Sequence, residues 1–209
     1  MKIFFLAILS YLIGSLPTAY LITKKIKGED IRKFGSGNIG ATNAARVLGI
    51  KMGLIVALVD ILKGYFAVIL IQLILPQQTP LYIIFLLALI VIIGHNFSVF
   101  LNFSGGKGVA TTIGIVMNIF PMGFLILTVI WFLITIITRY VSLASMMAAV
   151  SLVFSSYFLK ESSAYFYFMV ILAIGVIFTH RENIARLLHG TENRMKWPPN
   201  KNRGDLNEK

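Results

Sequence analysis

A chain of 209 residues that is 57% hydrophobic and only 13% charged, with a mean hydropathy of +0.84, is too apolar for a soluble domain. It reads as an integral membrane protein. Nineteen Lys and Arg against eight Asp and Glu give a net charge of +11, a topology signal first and a hint of anionic ligands second. The absence of cysteine excludes disulfides, thiolate metal sites and a cysteine nucleophile.

The first apolar run covers residues 3–22. Lys2 and a short apolar core also fit a signal peptide, but no small-x-small cleavage site follows, so the run is expected to remain as a membrane helix. Residues 24–51 carry Lys24, Lys25, Lys27, Arg32, Lys33, Arg46 and Lys51, together with the polar island Gly35–Gly49. Its glycines let backbone approach a ligand or adopt positive φ, while Ser36, Asn38, Thr42, Asn43 and Arg46 supply donors to oxygen-rich groups such as phosphate. Gly35-x-Gly37-x-x-Gly40 matches the dinucleotide fingerprint only formally, because that motif works between a strand and a helix of a parallel sheet. An anion-binding loop is the expectation.

In the second run, 53–75, Asp60 and Lys63 stand three residues apart. Charges inside a bilayer are expensive and are paired or functional, so structural pairing and a substrate contact through Lys63 both stand open. The third run, 81–101, contains His95-Asn96, read as a helix-end anchor. A second island, Asn102–Thr112, follows. Its Gly105-Gly106-Lys107-Gly108 resembles a Walker A loop only superficially, since Gly108 stands where Ser or Thr belongs. A glycine turn opening a helix still offers free N–H groups, the positive dipole end and an ammonium, so phosphate binding is expected.

The run 109–138 is too long for one span of about 20 residues, and Asn118-Ile119-Phe120-Pro121-Met122-Gly123 breaks it. A short helix and a full one result, giving seven membrane helices in all. Between them and the runs 141–159 and 164–180 lie two more islands. In Arg139–Ser145, Ser142 either caps a helix or joins the site. In His180–Leu188, His180 and Asn183 share a helix face at the membrane exit, as an amphipathic anchor or as a base and a substrate orienter. An outside N-terminus then puts every basic segment and every island on the inner side, and the charge-poor links 76–80 and 160–163 outside. Residues 1–190 are read as one domain, and 191–209, with Pro198-Pro199 and many basic residues, as a disordered cytoplasmic tail.

Taken together, Ser36-Gly-Asn38-x-Gly40-Ala-Thr42-Asn43-x-x-Arg46, Asp60-x-x-Lys63-Gly, Gly105-Gly106-Lys107-Gly108-Val-Ala-Thr, Val-Ser142-Leu-Ala-Ser145 and His180-Arg-Glu-Asn183 resemble the bacterial acyl-phosphate:glycerol-3-phosphate acyltransferases of the PlsY type. The likeness runs from 11 to 190 with its motifs in order. It implies an all-α seven-helix membrane enzyme whose active site lies at the cytoplasmic face of the bacterial inner membrane. The reaction it implies moves a fatty acyl group from acyl phosphate to the sn-1 hydroxyl of glycerol 3-phosphate. The soluble enzyme that supplies acyl phosphate and the membrane lipid are the implied partners; nucleic acid is not. The resemblance gives catalytic roles to Ser36, Arg46, His180 and Asn183, with Ser142 or Ser145 completing the site. It gives substrate binding to Asn38, Gly40, Thr42, Asn43, Lys63, Gly105, Gly106, Lys107 and Gly108.

The chemistry suits these residues. An acyl phosphate is a mixed anhydride whose leaving group needs little acid help, so the task is to hold two anions together and orient a hydroxyl. Neither metal nor cofactor is expected. The base is either His180 or a phosphate oxygen of the donor. No histidine has Asp five residues on, the positions holding Phe100, Ala185 and Arg194, so the His-x4-Asp acyltransferase site is absent. The rival class is a transporter for an anionic solute, which would place polar residues at the bilayer midplane and commonly show repeats.

Overall fold

The computed structural model describes residues 1–159 and 161–195, and all regular structure among them is helical. The first apolar run is two helices, α1 (Lys2–Ser15) and α2 (Thr18–Lys27). Pro17, which has no N–H to donate, stands at the break. Lys24, Lys25 and Lys27 fill the last turn of α2, where they complement the helix dipole, and Gly28 ends it in the left-handed conformation (φ 73°). A short amphipathic helix, α3 (Ala41–Leu48), leads into the long apolar α4 (Ile50–Ile74). Next come α5 (Leu81–Asn96), α6 (Val109–Ile119), α7 (Pro121–Thr138), α8 (Val141–Phe158), α9 (Ser163–Thr179) and α10 (Arg181–Leu188).

The break expected near Pro121 is present: α6 stops at Ile119 and Pro121 occupies the first turn of α7, where its missing N–H costs nothing. By length and hydropathy five segments can cross a bilayer: Lys2–Lys27, Ile50–Ile74, Leu81–Leu101, Pro121–Thr138 and Val141–Phe158. A sixth results when α9 and α10, bent by 60° at His180, are counted together. The seven helices read from the sequence exceed this by one, α6. Its 11 residues rise only about 16 Å, half the thickness of a hydrocarbon core.

The most extensive helix contacts pair α4 with α6, α7 with α8, and α1 with α5. Two of these depend on small residues that let backbones meet, as membrane helix packing requires. Gly64 and Gly114 set α4 against α6, and Gly14 and Gly94 set α1 against α5. At each, an added Cβ would run into a backbone carbonyl of the other helix. The apolar centre of the bundle joins Val68, Phe85, Ile115, Leu152 and Phe168, with the rings of Phe85 and Phe168 stacked at 4.5 Å. Large apolar side chains such as Phe4, Leu73, Ile136, Ile137 and Phe154 face outward, as they do where the surrounding solvent is lipid.

Candidate active site

The first island folds on one side chain. Asn43, at the start of α3 and 1% exposed, accepts from Ser36 N at 2.9 Å through Oδ1. Its Nδ2 donates to the carbonyls of Phe34 and Asn38, both at 3.0 Å. Gly35 and Gly37 take positive φ in this turn (60° and 71°), and a Cβ on Gly35 would strike the Asn43 amide. Asn43 thus shapes the loop that presents Ser36, Asn38, Gly40, Thr42 and Arg46.

The second island is moulded on the end of α5. Gly106 N donates to the His95 carbonyl at 3.1 Å. A Cβ on Gly105 would meet the carbonyls of His95 and Asn96, and one on Gly106 the His95 imidazole. Gly108 (φ 77°) caps the N-terminus of α6. No other residue type fits these positions, and the result sets the Lys107 ammonium against Asn183 Oδ1 of α10. Thr179 Oγ1, at the end of α9, donates to the Lys107 carbonyl at 3.2 Å.

The third and fourth islands close the ring. The Ser142 hydroxyl donates to Glu192 Oε1 at 2.9 Å, Asn183 Nδ2 to the same oxygen at 2.7 Å, and Arg186 Nε to Oε2 at 2.8 Å. Burial raises the Glu192 carboxyl, but the bonds from Arg186, Asn183 and Ser142 outweigh it and hold the group below the usual carboxylate range. His180 Nδ1 lies 2.7 Å from the Val176 carbonyl. A carbonyl only accepts, so Nδ1 carries the proton and Nε2 is left as an acceptor.

These parts surround a single cavity of about 690 Å³. Of the sequence-derived residues, Ser36, Asn38, Gly40, Thr42, Asn43, Arg46, Gly105, Gly106, Lys107, Gly108, Ser142, Ser145, His180 and Asn183 all line it. Its cations are Arg46, Lys107, Arg181 and Arg186, and its acids are Asp60, Glu182 and Glu192. Burial, then the nearby Arg186 and Arg46, bring Lys107 down to about 8 against the partial support of Glu192 and Glu182. Burial likewise lowers Arg46, with Glu192 opposing and Arg186 adding to the shift. Such mutual repulsion is what a bound anion relieves. Away from the charges the wall turns apolar, with Ile113, Phe124, Leu127, Trp131 and Phe132.

Two expectations are corrected. Lys63 does not line the cavity; its ammonium is 2.8 Å from Asp60 Oδ1 and donates to the Leu16 carbonyl at 3.1 Å and to His95 Nδ1 at 2.8 Å. It is the buried partner of Asp60, one of the two readings that the sequence leaves open, while Asp60 and His95 do reach the cavity wall. The stretch after 190 is also not wholly a tail. Glu192 is buried, Met195 N donates to the Arg139 carbonyl at 2.7 Å, and Arg194 Nε to the Tyr140 hydroxyl at 2.9 Å. The remainder of that stretch, 196–209, lies outside the described residues. Glu192 and Arg186 are the site residues that the motifs do not disclose. The one signal for Glu192 is an acid in an otherwise basic stretch, which is too weak to read alone. Ser145 is turned partly to structure: its hydroxyl donates to the Val141 carbonyl at 2.8 Å and accepts from Trp131 Nε1 at 3.3 Å.

Known proteins share this chain's sequence pattern and its fold. The family model of glycerol-3-phosphate acyltransferase matches residues 4–190. The chain is 43% identical over 207 residues to a glycerol-3-phosphate acyltransferase of Fusobacterium nucleatum, covering 94% of this chain and all of that one. It is 45% identical over 188 residues to glycerol-3-phosphate acyltransferase 2 of Bacillus anthracis, covering 90% and 96%. The crystal structure of PlsY, an integral membrane glycerol 3-phosphate acyltransferase, superposes in its glycerol 3-phosphate form with a TM-score of 0.87 at 36% identity. That match covers 94% of this chain and 96% of the other. The lysophosphatidic acid form superposes at 0.84 and 34%, with the same coverage. By sequence and by fold, the chain belongs to the glycerol-3-phosphate acyltransferase family.

Proposed function

We propose that this protein transfers a fatty acyl group from acyl phosphate to the sn-1 hydroxyl of glycerol 3-phosphate, releasing inorganic phosphate and 1-acyl-glycerol 3-phosphate. The observation that carries this reading is the composition of one cavity. Arg46, Lys107 and Arg186 gather beside a glycine loop at a helix N-terminus, the unprotonated Nε2 of His180 is close by, and an apolar wall begins where the charges end. Such a cavity suits two phosphate-bearing substrates, one with a fatty chain. Relatives named for glycerol 3-phosphate, and PlsY structures in its glycerol 3-phosphate and lysophosphatidic acid forms, support the same reading. Membership of this family also displaces the transporter alternative.

In the reaction the glycerol oxygen forms an ester bond to the acyl carbon as the bond from that carbon to the phosphate oxygen breaks. The phosphate leaves with the electron pair. Arg46, Lys107 and the N–H groups at the start of α6 hold the anions and bring the hydroxyl to the carbonyl, the larger part of catalysis for an activated anhydride. The hydroxyl proton passes to His180 Nε2 or to a phosphate oxygen of the donor. Ser36, Ser142, Ser145 and Asn183 orient the two substrates, with Asn38, Gly40, Thr42 and the loop glycines around them; Asn43 acts by shaping the first loop. No metal or cofactor takes part.

The same reading places α6 as a seventh, short membrane element, the N-terminus outside and the cavity on the cytoplasmic face of the bacterial inner membrane. There it can receive acyl phosphate from the soluble enzyme that makes it. Residues 1–190 then form the acyltransferase domain, to which the ordered residues 191–195 contribute. Purified protein given glycerol 3-phosphate with palmitoyl phosphate, palmitoyl-CoA or palmitoyl-acyl carrier protein in parallel tests the donor. Turnover with the first alone, unaffected by EDTA, is the expected result. Robust turnover with palmitoyl-CoA, or loss in EDTA that magnesium restores, would refute it.

A further inference from the structure

Beneath the glycine loop lies a buried charged cluster that the reaction above does not use. Asp60 and Lys63, on one face of α4, form an ion pair at 2.8 Å with both side chains at most 5% exposed. Thr18 Oγ1 of α2 donates to Asp60 Oδ1 at 2.9 Å, and the Leu16 carbonyl accepts from Lys63 at 3.1 Å. The third contact of the Lys63 ammonium is His95 Nδ1, at 2.8 Å. A charge pair this deep survives only when its remaining hydrogen-bonding capacity is met, and here one of the groups meeting it is a histidine of the cavity wall.

That contact fixes the imidazole. An ammonium has donors only, so Nδ1 must be the accepting nitrogen, and a neutral ring with Nδ1 unprotonated carries its proton on Nε2. His95 Nε2 lies against Gly106, where a Cβ would collide with it, one residue from Lys107. The His95 side chain is more than nine-tenths buried, and Nε2 has no hydrogen-bond partner among the described residues. His180 has the opposite tautomer, its proton on Nδ1 and its Nε2 accepting. One cavity is therefore bordered by two histidines of opposite sense, one suited to take a proton and one to donate a hydrogen bond.

The geometry points to His95 as a further substrate-contacting residue. Its Nε2–H, held in that tautomer by the Asp60–Lys63 pair, donates to an oxygen of the phosphate bound at the Gly105–Gly108 loop. Asp60 and Lys63 are then positioning residues, acting on the reaction through His95 alone. This inference rests on the phosphate-site reading of the proposed function.

Two substitutions separate it from a structural role. Glutamine places an amide N–H near the position of Nε2 but nothing at Nδ1, whereas asparagine keeps a polar atom near Nδ1 and nothing at Nε2. His95→Gln is expected to keep kcat/KM within about tenfold of the unsubstituted protein. His95→Asn should fold to the same detergent-solubilised species and lose on the order of a hundredfold. The reverse order, Asn retained and Gln lost, would make His95 only the partner of Lys63 and overturn the inference.

A second readout needs no turnover. With 15N-labelled histidine, the ring nitrogens of His95 are expected to show a neutral, Nε2-protonated ring whose Nε2 resonance moves when glycerol 3-phosphate is added. Lys63→Met should abolish that preference. An Nδ1-protonated ring, or an Nε2 resonance blind to saturating glycerol 3-phosphate, would contradict the proposal. Failure of the proposed function shows differently, as unsubstituted protein that forms no lysophosphatidic acid.

Discussion

Ser142 and Glu192, fifty residues apart in the chain, meet in a buried hydrogen bond of 2.9 Å from the serine hydroxyl to the carboxylate. The same carboxylate takes Asn183 and Arg186, so one acid ties the start of α8 to α10 across the cavity rim. Glu192→Ala strands three donors at once. It should lower stability by about 1–3 kcal/mol, several degrees in Tm, and reduce activity in parallel. Glu192→Gln keeps an accepting oxygen and should lose less. Since folding holds this carboxyl below its ordinary range, its contribution is fully present above the unfolded-state value and is lost only as pH falls through the folded one. Equal melting temperatures for the Ala variant and the unsubstituted protein would remove Glu192 from this role.

Arg46 and His180 should fail differently. Removing a charge-assisted contact to phosphate costs roughly 2–4 kcal/mol of transition-state binding, about 30- to 1000-fold in kcat/KM. Arg46→Ala should therefore raise KM and lower kcat together, and Lys107→Ala should do likewise. His180→Ala should lower kcat more than it raises KM. If His180→Asn keeps most of its rate with an unchanged pH profile, the donor phosphate is the base; loss of most of the rate together with an ionisation that burial holds below the ordinary histidine range identifies the histidine. Normal turnover by Arg46→Ala would end the phosphate reading of the first island.

The position of Lys107, at about 8 in the free enzyme, gives a pH dependence with a definite sign. Only the ammonium attracts phosphate, and its fraction falls as pH rises through that value. The KM for glycerol 3-phosphate should thus be lowest near neutrality, where its phosphate is a dianion, and climb above about pH 8, approaching tenfold per unit at the limit. Bound phosphate favours the charged form, so binding above that pH takes up a proton. Lys107→Arg, whose charge persists, should remove the climb whatever its overall rate. An unchanged KM between pH 7 and 9.5 would show that this ammonium does not carry the binding.

Because the chain has no cysteine, single introduced cysteines report topology cleanly. Lys25→Cys and Arg139→Cys should be shielded from an impermeant reagent in intact cells, and Gln77→Cys and Ser162→Cys labelled. Labelling of Arg139→Cys from outside would dismiss α6 as a separate membrane element and with it the seven-helix arrangement.

Most of the fold is legible because bilayer helices announce themselves by unbroken apolar runs, and Pro121 marks the split between α6 and α7. The break at Pro17 is not, since the apolar run continues across it and hides two helices as one. Within the site, glycines and donors clustered along the chain are visible, because each island is local. What the sequence hides is who meets whom. Pairing of Lys63 with Asp60 and a substrate contact stand equally open in the sequence until His95 and the Leu16 carbonyl are seen to take up the rest of the ammonium. Asn43 looks like a ligand until its amide is seen holding three backbone groups. Glu192 depends on a chain reversal after α10 that no motif encodes.

The claim that most needs a direct measurement is acyl transfer from acyl phosphate to one oxygen of glycerol 3-phosphate. Glycerol 3-phosphate carrying 18O at the C1 hydroxyl, incubated with purified protein and palmitoyl phosphate, should yield 1-palmitoyl-glycerol 3-phosphate with the label in its ester linkage and unlabelled inorganic phosphate. Absence of that product, label in the released phosphate, or acylation at the C2 oxygen as the primary event would contradict the account.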